Sequence, residues 1–545
     1  MASRALAAIE WLLGPEPADP GRLLPRWIFL RGLGLIYFSA FYSFARQVQG
    51  LIGPDGILPV STYLEAVAKN LGAARYWYAP TLLWFSSGSR ALTALWVAGM
   101  VASILLVLNF WPRGMLLVCL VAFLSIIAAA QEFSSYQSDG MLLEAGFISF
   151  FFAPPGLRPG LGAARRPARA WRFLLLWEWF RIYFESGAAK VLGGDPEWRH
   201  LTAMDQYYQN GPLPTWIGWY VQHFPAWFHK ATAGTTLLLE LVVVWLMFFP
   251  RRWRIVCFCI VTPFEVGIIL TANYCFLNYL VLLIGVLLLD DQLFVHLLNG
   301  KPLARFVPAP WRDRAQRALA GQGTAAQPAQ AGSAVGKAAL WLHRAVEGFF
   351  FAWIFYATTT LLLWMFSPTL PLPIGPVRAL ESFRIANQYG LFGRMTLERF
   401  ELEFQASNDG ENWTPYPFRY KPQDLREPPR IYAPYQPRFD WNLWFASLET
   451  WRNNFWVLRA QAKLLEGSPA VLSLFAGNPF AGAPPKFVRV VVWQYWFTDW
   501  PTKRAQGAWW RRQMLGAYSP TLEREPDGTI FMIQLPSAPI QPAPE

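Results

Sequence analysis

The sequence predicts an all-α polytopic membrane bundle, of about nine transmembrane helices, followed by a β-rich extracytoplasmic domain. Three observations predict it. Of 545 residues, 54% are hydrophobic and only 15% charged, against about 25% charged in soluble proteins. Apolar runs long enough to cross a bilayer recur between residues 27 and 366. Beyond residue 366 the pattern changes to short alternating segments broken by prolines and turns.

The chain opens with a lead, residues 1–26, carrying Pro15, Pro17, Pro20 and Pro25. It has no apolar stretch followed by small residues, so no removable signal peptide is expected. The transmembrane domain is predicted over 27–366. Its first span is 27–44, followed by the turn Gly53-Pro54-Asp55-Gly56 and an amphipathic piece over 63–84. Further spans are predicted near 91–111, 115–131, 140–153, 172–190, 233–249, 254–272, 274–290 and 346–366. A flexible cytoplasmic linker is predicted over 306–340, because 318–338 is a low-complexity run of Ala, Gly, Gln and Ser.

Lys and Arg set the orientation. Crossings that start in the cytoplasm put Arg158, Arg165, Arg166 and Arg169 on one side, with Lys301, Arg305, Arg312, Arg314, Arg317, Lys337 and Arg344. The opposite loops hold fewer basic residues, and 132–139 holds none. The asymmetry predicts a cytoplasmic N-terminus and places 367–545 outside the cytoplasm. It also accounts for the net charge of +12 without nucleic acid as a partner. The expected partner is the lipid bilayer. Cys119, Cys257, Cys259 and Cys275 all lie in apolar spans, which leaves no disulfide framework in the aqueous parts.

Within the C-terminal domain, Phe400-Glu401-Leu402-Glu403-Phe404 alternates apolar and polar, and Asn408-Asp409-Gly410 turns the chain. Residues 487–497 are apolar on both faces and read as a buried strand.

The candidate chemistry centres on the span near 172–190. Glu178, Arg181 and Glu185 stand at i, i+3 and i+7, within roughly 60° of one another on a helix. One charge at mid-membrane costs about 2.5–3.5 kcal/mol, so three belong on one face, paired and turned into a bundle. Arg181 is expected to pair with Glu178 and with Glu185, and Lys190 would bring the set to neutrality. The functional reading of this face is a polar pocket inside the bundle, and the structural alternative is an ion-pair network that fixes helix register. Glu144, Glu240 and Glu265 are further intramembrane acids, while Glu132 and Asp139 read as helix-end carboxylates facing water. The loop after Lys190 is dense in polar residues, among them Asp195, Glu197 and Arg199. No Ser–His–Asp order, Walker loop or HExxH is present, and neither a metal site nor a cofactor is predicted. In the C-terminal domain, Arg438, Asp440 and Trp441 form the candidate client or interdomain contact. Two readings are open: Arg438 pairs with Asp440 while Trp441 packs into the β core, or the segment docks onto the loop after Lys190.

These residues fall into blocks that resemble the lipase maturation factor family. The first is Ser186-Gly187-x-x-Lys190, Asp195-Pro196-x-Trp198, Leu201-Thr202-Ala203, Pro212-Leu213-Pro214 and His223-x-Pro225. A second runs from Asn387-Gln388-Tyr389-Gly390 to Leu391-Phe392-Gly393-Arg394-Met395-Thr396. A third is Ala433-Pro434-Tyr435-Gln436-Pro437-Arg438-Phe439-Asp440-Trp441-Asn442-Leu443-Trp444-Phe445-Ala446, and Trp493-Gln494-Tyr495-Trp496-Phe497 closes the set. The resemblance implies a multi-pass membrane protein that assists maturation of secreted lipases or other client proteins, in the endoplasmic reticulum in animal members. Tyr207, Gln209 and Tyr435 depart from that family's pattern. The alanine- and arginine-rich composition points to a bacterial homologue and to the bacterial inner membrane. A more distant resemblance, of Lys190 and the acidic loop and Trp that follow, is to the vitamin K-dependent γ-carboxylase membrane domain. It implies the alternative function, a membrane enzyme with Lys190 as base on a lipid-soluble substrate. A transporter is disfavoured because no internal repeat is present.

Overall fold

A computed structural model describes residues 11–16, 21–299 and 334–536. The first part is helical: α1 Leu23–Ile52, α2 Val60–Leu71, α3 Ser89–Val107, α4 Pro112–Ile127, α5 Gln137–Phe152, α6 Arg169–Leu192, α7 Ala226–Leu241, α8 Arg251–Thr271, α9 Leu277–Gly285 and α10 Ala334–Phe366. Pro112 opens α4, where its missing N–H would have had no partner in any case. Most of the predicted linker, and residues 1–10 and 17–20 of the lead, lie outside the described residues.

Among the described residues five helices are long and apolar enough to cross a membrane: Leu23–Ile52, Ser89–Val107, Ala226–Phe248, Arg251–Thr271 and Trp341–Phe366. A sixth is added if Leu277–Leu288 and Asp291–Leu297, bent by 98°, count as one span. The expected number was about nine. The shortfall falls on α4 and α5, 16 residues each, and on α6. α6 is 24 residues long but carries five charged side chains from Arg172 to Lys190. α6 runs through the centre of the bundle, so neighbouring helices rather than lipid meet those charges. α1 runs past its predicted end at residue 44, because Gln47, Val48, Leu51 and Ile52 are buried.

Contacts gather the loops at two ends. At one end Glu16 pairs with Arg172, and Asp290 lies 3.7 Å from Arg22 and 2.5 Å from Arg251. There too Arg113 donates to the carbonyl of Ala153, and Arg165 meets His343 at 2.6 Å. At the other end Ser468 donates to the carbonyl of Asp55, Arg384 to that of Ser134, Asn210 to that of Thr396 and Asn273 to that of Arg430.

The C-terminal part carries a six-stranded antiparallel sheet of β1 Arg399–Ser407, β2 Thr414–Pro415, β3 Phe487–Phe497, β4 Trp510–Ala517, β5 Thr521–Arg524 and β6 Ile530–Gln534. β1 pairs β3 along its whole length, from Arg399 opposite Tyr495 to Ser407 opposite Phe487. This part is less purely β than the sequence predicts. Helices α11 Arg438–Ser447 and α12 Phe455–Leu465 pack on the sheet. Phe404 of β1 stacks with Phe439 of α11, at 6.3 Å between rings. The polar face of β1 is covered as well. Glu401 pairs with Arg399 and with Lys421, and Glu403 with Arg512. The turn after β1 forms as predicted, with Gly410 at φ 78° and the Asp409 carboxylate accepting from the N–H groups of Glu411 and Asn412.

Candidate functional site

Glu178, Arg181 and Glu185 share one face of α6 and are fully buried. Their partners differ from those expected. The Arg181 guanidinium pairs with Glu144 of α5, donates at 2.6 Å to the carbonyl of Asn387, and stands 3.9 Å from Glu185. Glu178 lies beside this network and forms no ion pair with Arg181 among the described residues. Glu144 also accepts from the Tyr389 hydroxyl at 2.9 Å and from the Asn387 side-chain amide at 3.0 Å. Glu185 accepts from the Tyr389 N–H at 2.6 Å. The face that reads as a pocket is therefore occupied by the chain itself.

The occupant continues along α6. Ser186 Oγ accepts from the N–H of Leu391 at 3.2 Å, and Lys190 Nζ donates to the Leu391 carbonyl at 2.8 Å. Trp198 Nε1 donates to the Phe392 carbonyl at 2.9 Å. Asp195 caps the short helix Pro196–Arg199 through one oxygen and accepts from the N–H of Met395 through the other, both at 2.7 Å. Residues 387–396 thus lie against the C-terminal half of α6 and the loop after it. Close approach needs glycine: a Cβ on Gly140 would sit 2.6 Å from Asn387 Oδ1. Lys190 does not join the Arg181 set. It pairs with Glu240 of α7, 2.8 Å from Oε2 and 3.0 Å from Oε1.

A second junction lies at α11. Arg438 does not pair with Asp440. Its two Nη atoms meet the carboxylate of Asp139, at the start of α5, at 2.7 and 2.8 Å, and Nη1 also donates to the Phe133 carbonyl at 2.8 Å. The guanidinium lies 4.2 Å over the ring of Phe44. Asp139, read from the sequence as water-facing, is fully buried by this contact, whereas Glu132 is exposed. The N-terminus of α11 is seated on α1: Gln47 donates to the Gln436 carbonyl at 2.9 Å and accepts from the Phe439 N–H at 3.2 Å. Asp440 turns the other way and accepts from the N–H groups of Tyr420 and Lys421. Burial pushes its carboxyl up to about 7, against Lys421 and the backbone donors that hold it down. Trp441 packs against the rings of Tyr136 and Tyr274. The segment thus meets α1 and residues 133–139, while residues 387–396 meet the start of the loop after Lys190, and Trp444 further along α11 donates to the carbonyl of Asn210 in that loop.

Sequence reasoning names both cations and misses three of the groups that engage them: Glu144 and Asn387 for Arg181, and Asp139 for Arg438. The visible signal was that each acid sits inside or beside an apolar run. Nothing local to the sequence pairs them across gaps of 37 and 299 residues. Chemically, the arrangement holds two parts of a chain together. Among the described residues no group of three or more His, Cys, Asp or Glu is placed to hold a metal ion.

Two stretches of the chain match known family models. Residues 24–296 match the lipase maturation factor transmembrane domain, and residues 385–520 match the lipase maturation factor C-terminal domain. Lipase maturation factor 1 of Bos taurus is 33% identical over 521 residues, covering 92% of this chain and 89% of that protein. Lipase maturation factor 2 of Homo sapiens is 31% identical over 596 residues, covering 92% of this chain and 83% of that protein. No solved structure matches.

Proposed function

The chain belongs to the lipase maturation factor family, and from that premise we propose that it is a membrane-anchored factor assisting maturation of secreted clients, lipases among them. The carrying observation is the double clamp. Residues 387–396 and Arg438 fix the C-terminal domain on the bundle through buried charges, as a platform held at a set place beside the membrane requires. We assign Lys190 a holding role in place of a base, because its ammonium donates to Glu240 and to the carbonyls of Ser186 and Leu391.

In this reading the chain crosses the bacterial inner membrane nine times, with its N-terminus in the cytoplasm and its C-terminal domain outside. The gathering of loops at two ends supports it. Arg22, Arg113, Arg165, Arg172 and Arg251 meet at one end, while Asp55, Ser134, Asn210 and Asn273 meet the C-terminal domain at the other. α4, α5 and α6 then cross shielded by their neighbours. Reporters fused after Gly321 and after the C-terminus should mark opposite sides. If both mark the cytoplasm, this topology is wrong.

The function is tested by co-expressing a secreted lipase with the chain and measuring lipase activity per unit of secreted lipase protein. Wild type should raise that ratio, and Arg438→Ala should remove most of the gain. A ratio that wild type leaves unchanged for a panel of secreted lipases rejects lipases as clients.

A further inference from the structure

A cavity of about 300 Å³ lies beside the Lys190–Glu240 pair, between α6, α7, α8 and α9. Two features set what it can hold. The first is its mouth. Phe228 and Thr232 on α7 line the cavity together with Phe264, Gly267 and Ile268 on α8. α7 and α8 both belong to segments long and apolar enough to span a membrane. They expose Leu238 on one and Val266 and Leu270 on the other. Gly267 is exposed, and a Cβ there would meet nothing within 4 Å. The gap therefore faces hydrocarbon, and an occupant enters sideways from the bilayer.

The second feature is the inner wall. It is mostly apolar, and its polar groups include Tyr183, Glu265, Asn278 and the Lys190–Glu240 pair, a common form of small-molecule site. Glu265 accepts from Tyr183 at 2.5 Å and from Asn278 at 2.7 Å, each at a different oxygen. A carboxylate oxygen has room for a further donor. The cation present, Lys190, is already held by Glu240. One lysine and two glutamates give this wall no positive excess, so an anionic head finds no counter-charge, whereas a donor finds Glu265. The volume is at the lower end of the range for ligand sites, about 300–1,000 Å³, and suits one chain better than two.

We propose that this cavity binds a single-chain lipid with a small, hydrogen-bond-donating, non-anionic head, of which a long-chain alcohol is the simplest form, entering between α7 and α8. Leu391 and Phe392, part of the segment that clamps the C-terminal domain, also line the cavity, so its occupancy bears on that clamp. The proposal goes beyond the client reading and does not depend on it.

The test uses the full chain in nanodiscs and no client. A diazirine-bearing hexadecanol is photolysed, and labelled peptides are compared with those from the matching hexadecanoic acid probe at pH 7.5. The alcohol should label residues 228–236 or 264–271, excess hexadecanol should compete, and the acid should label these peptides at least fivefold less. Gly267→Phe, which fills the mouth, should cut the alcohol labelling at least fivefold with the melting temperature unchanged. Thr232→Phe on the opposite rim serves if that variant does not fold. Equal or stronger labelling by the acid overturns the head-group assignment. Labelling no stronger than at the outward residues Val101 and Leu108, or insensitive to competitor, overturns the site.

Discussion

The two junctions between the bundle and the C-terminal domain solve the same problem differently. At α6, one guanidinium serves two carboxylates and a carbonyl, and those carboxylates also take the N–H, amide and hydroxyl groups of residues 387–389. At α11, one guanidinium meets one carboxylate two-to-two, with a carbonyl and a phenyl ring completing its surroundings. The first is a network in which each acid keeps other donors if one partner is lost. The second is a pair in which loss of Arg438 leaves the Asp139 carboxylate buried without its ion-pair partner. The difference teaches that equal burial does not mean equal fragility.

The largest effect should therefore follow Arg438→Leu, which strands Asp139. Breaking a buried pair costs about 3–5 kcal/mol. Adding Asp139→Leu should recover much of the loss, since a pair replaced by apolar residues is often close to neutral. Thermal unfolding of the full chain, read by tryptophan fluorescence, checks both. Arg181→Leu should cost less, about 2–3 kcal/mol by the scale of hydrogen bonds to charged groups, because Tyr389 and Asn387 still serve Glu144 and Glu185. Combining it with Glu144→Gln and Glu185→Gln should cost less again than Arg181→Leu alone. An Arg181 effect as large as that of Arg438 would erase the contrast between network and pair.

Much of this was readable in the sequence, and the limit has a physical form. Glu178, Arg181 and Glu185 could be placed on one helix face, and turned inward, from helical spacing and the cost of charge in lipid. Which acid meets Arg181 could not, since a guanidinium reaches partners on any neighbouring helix. Spacing favoured Glu178, one turn away, but Glu144 on α5 won. The β1 alternation gave the strand correctly and its environment incompletely. Glu401 and Glu403 look solvent-facing, yet Lys421 and Arg512 cover them from later segments, Arg512 from 109 residues beyond Glu403. Asp139 failed for the same reason. A carboxylate at a helix start normally faces water, and only a distant arginine makes its burial tolerable. The number of spans differs at α6 in particular: the sequence counts 172–190 as a span, whereas the helix there carries five charged side chains from Arg172 to Lys190 and is not one of the five or six described helices apolar enough to cross.

The smallest effect sharpens the comparison from within α11. Asp440 stands two residues from Arg438 but takes no part in the pair. Its contacts are backbone N–H groups, and burial raises its carboxyl to about 7, above an unfolded value of about 3.9. A group that binds its proton more tightly when folded stabilises the fold most at low pH. That contribution is complete below about pH 4 and is lost as pH rises through about 7, since between those values the folded state holds more protons. At about 1.4 kcal/mol per pH unit, the loss between pH 5 and pH 7 is on the order of 2 kcal/mol. Asp440→Asn keeps an oxygen for Tyr420 and Lys421 but cannot ionise. The variant should unfold at a temperature that falls less between pH 5 and pH 7 than that of wild type, and the two should differ most at pH 7, with the variant more stable. The Arg438→Leu loss should persist at both pH values, because that guanidinium stays charged throughout. A pH slope unchanged by Asp440→Asn would mean that Asp440 is ionised in the fold across this range, and that α11 seats two buried charges, Arg438 and Asp440, in place of one.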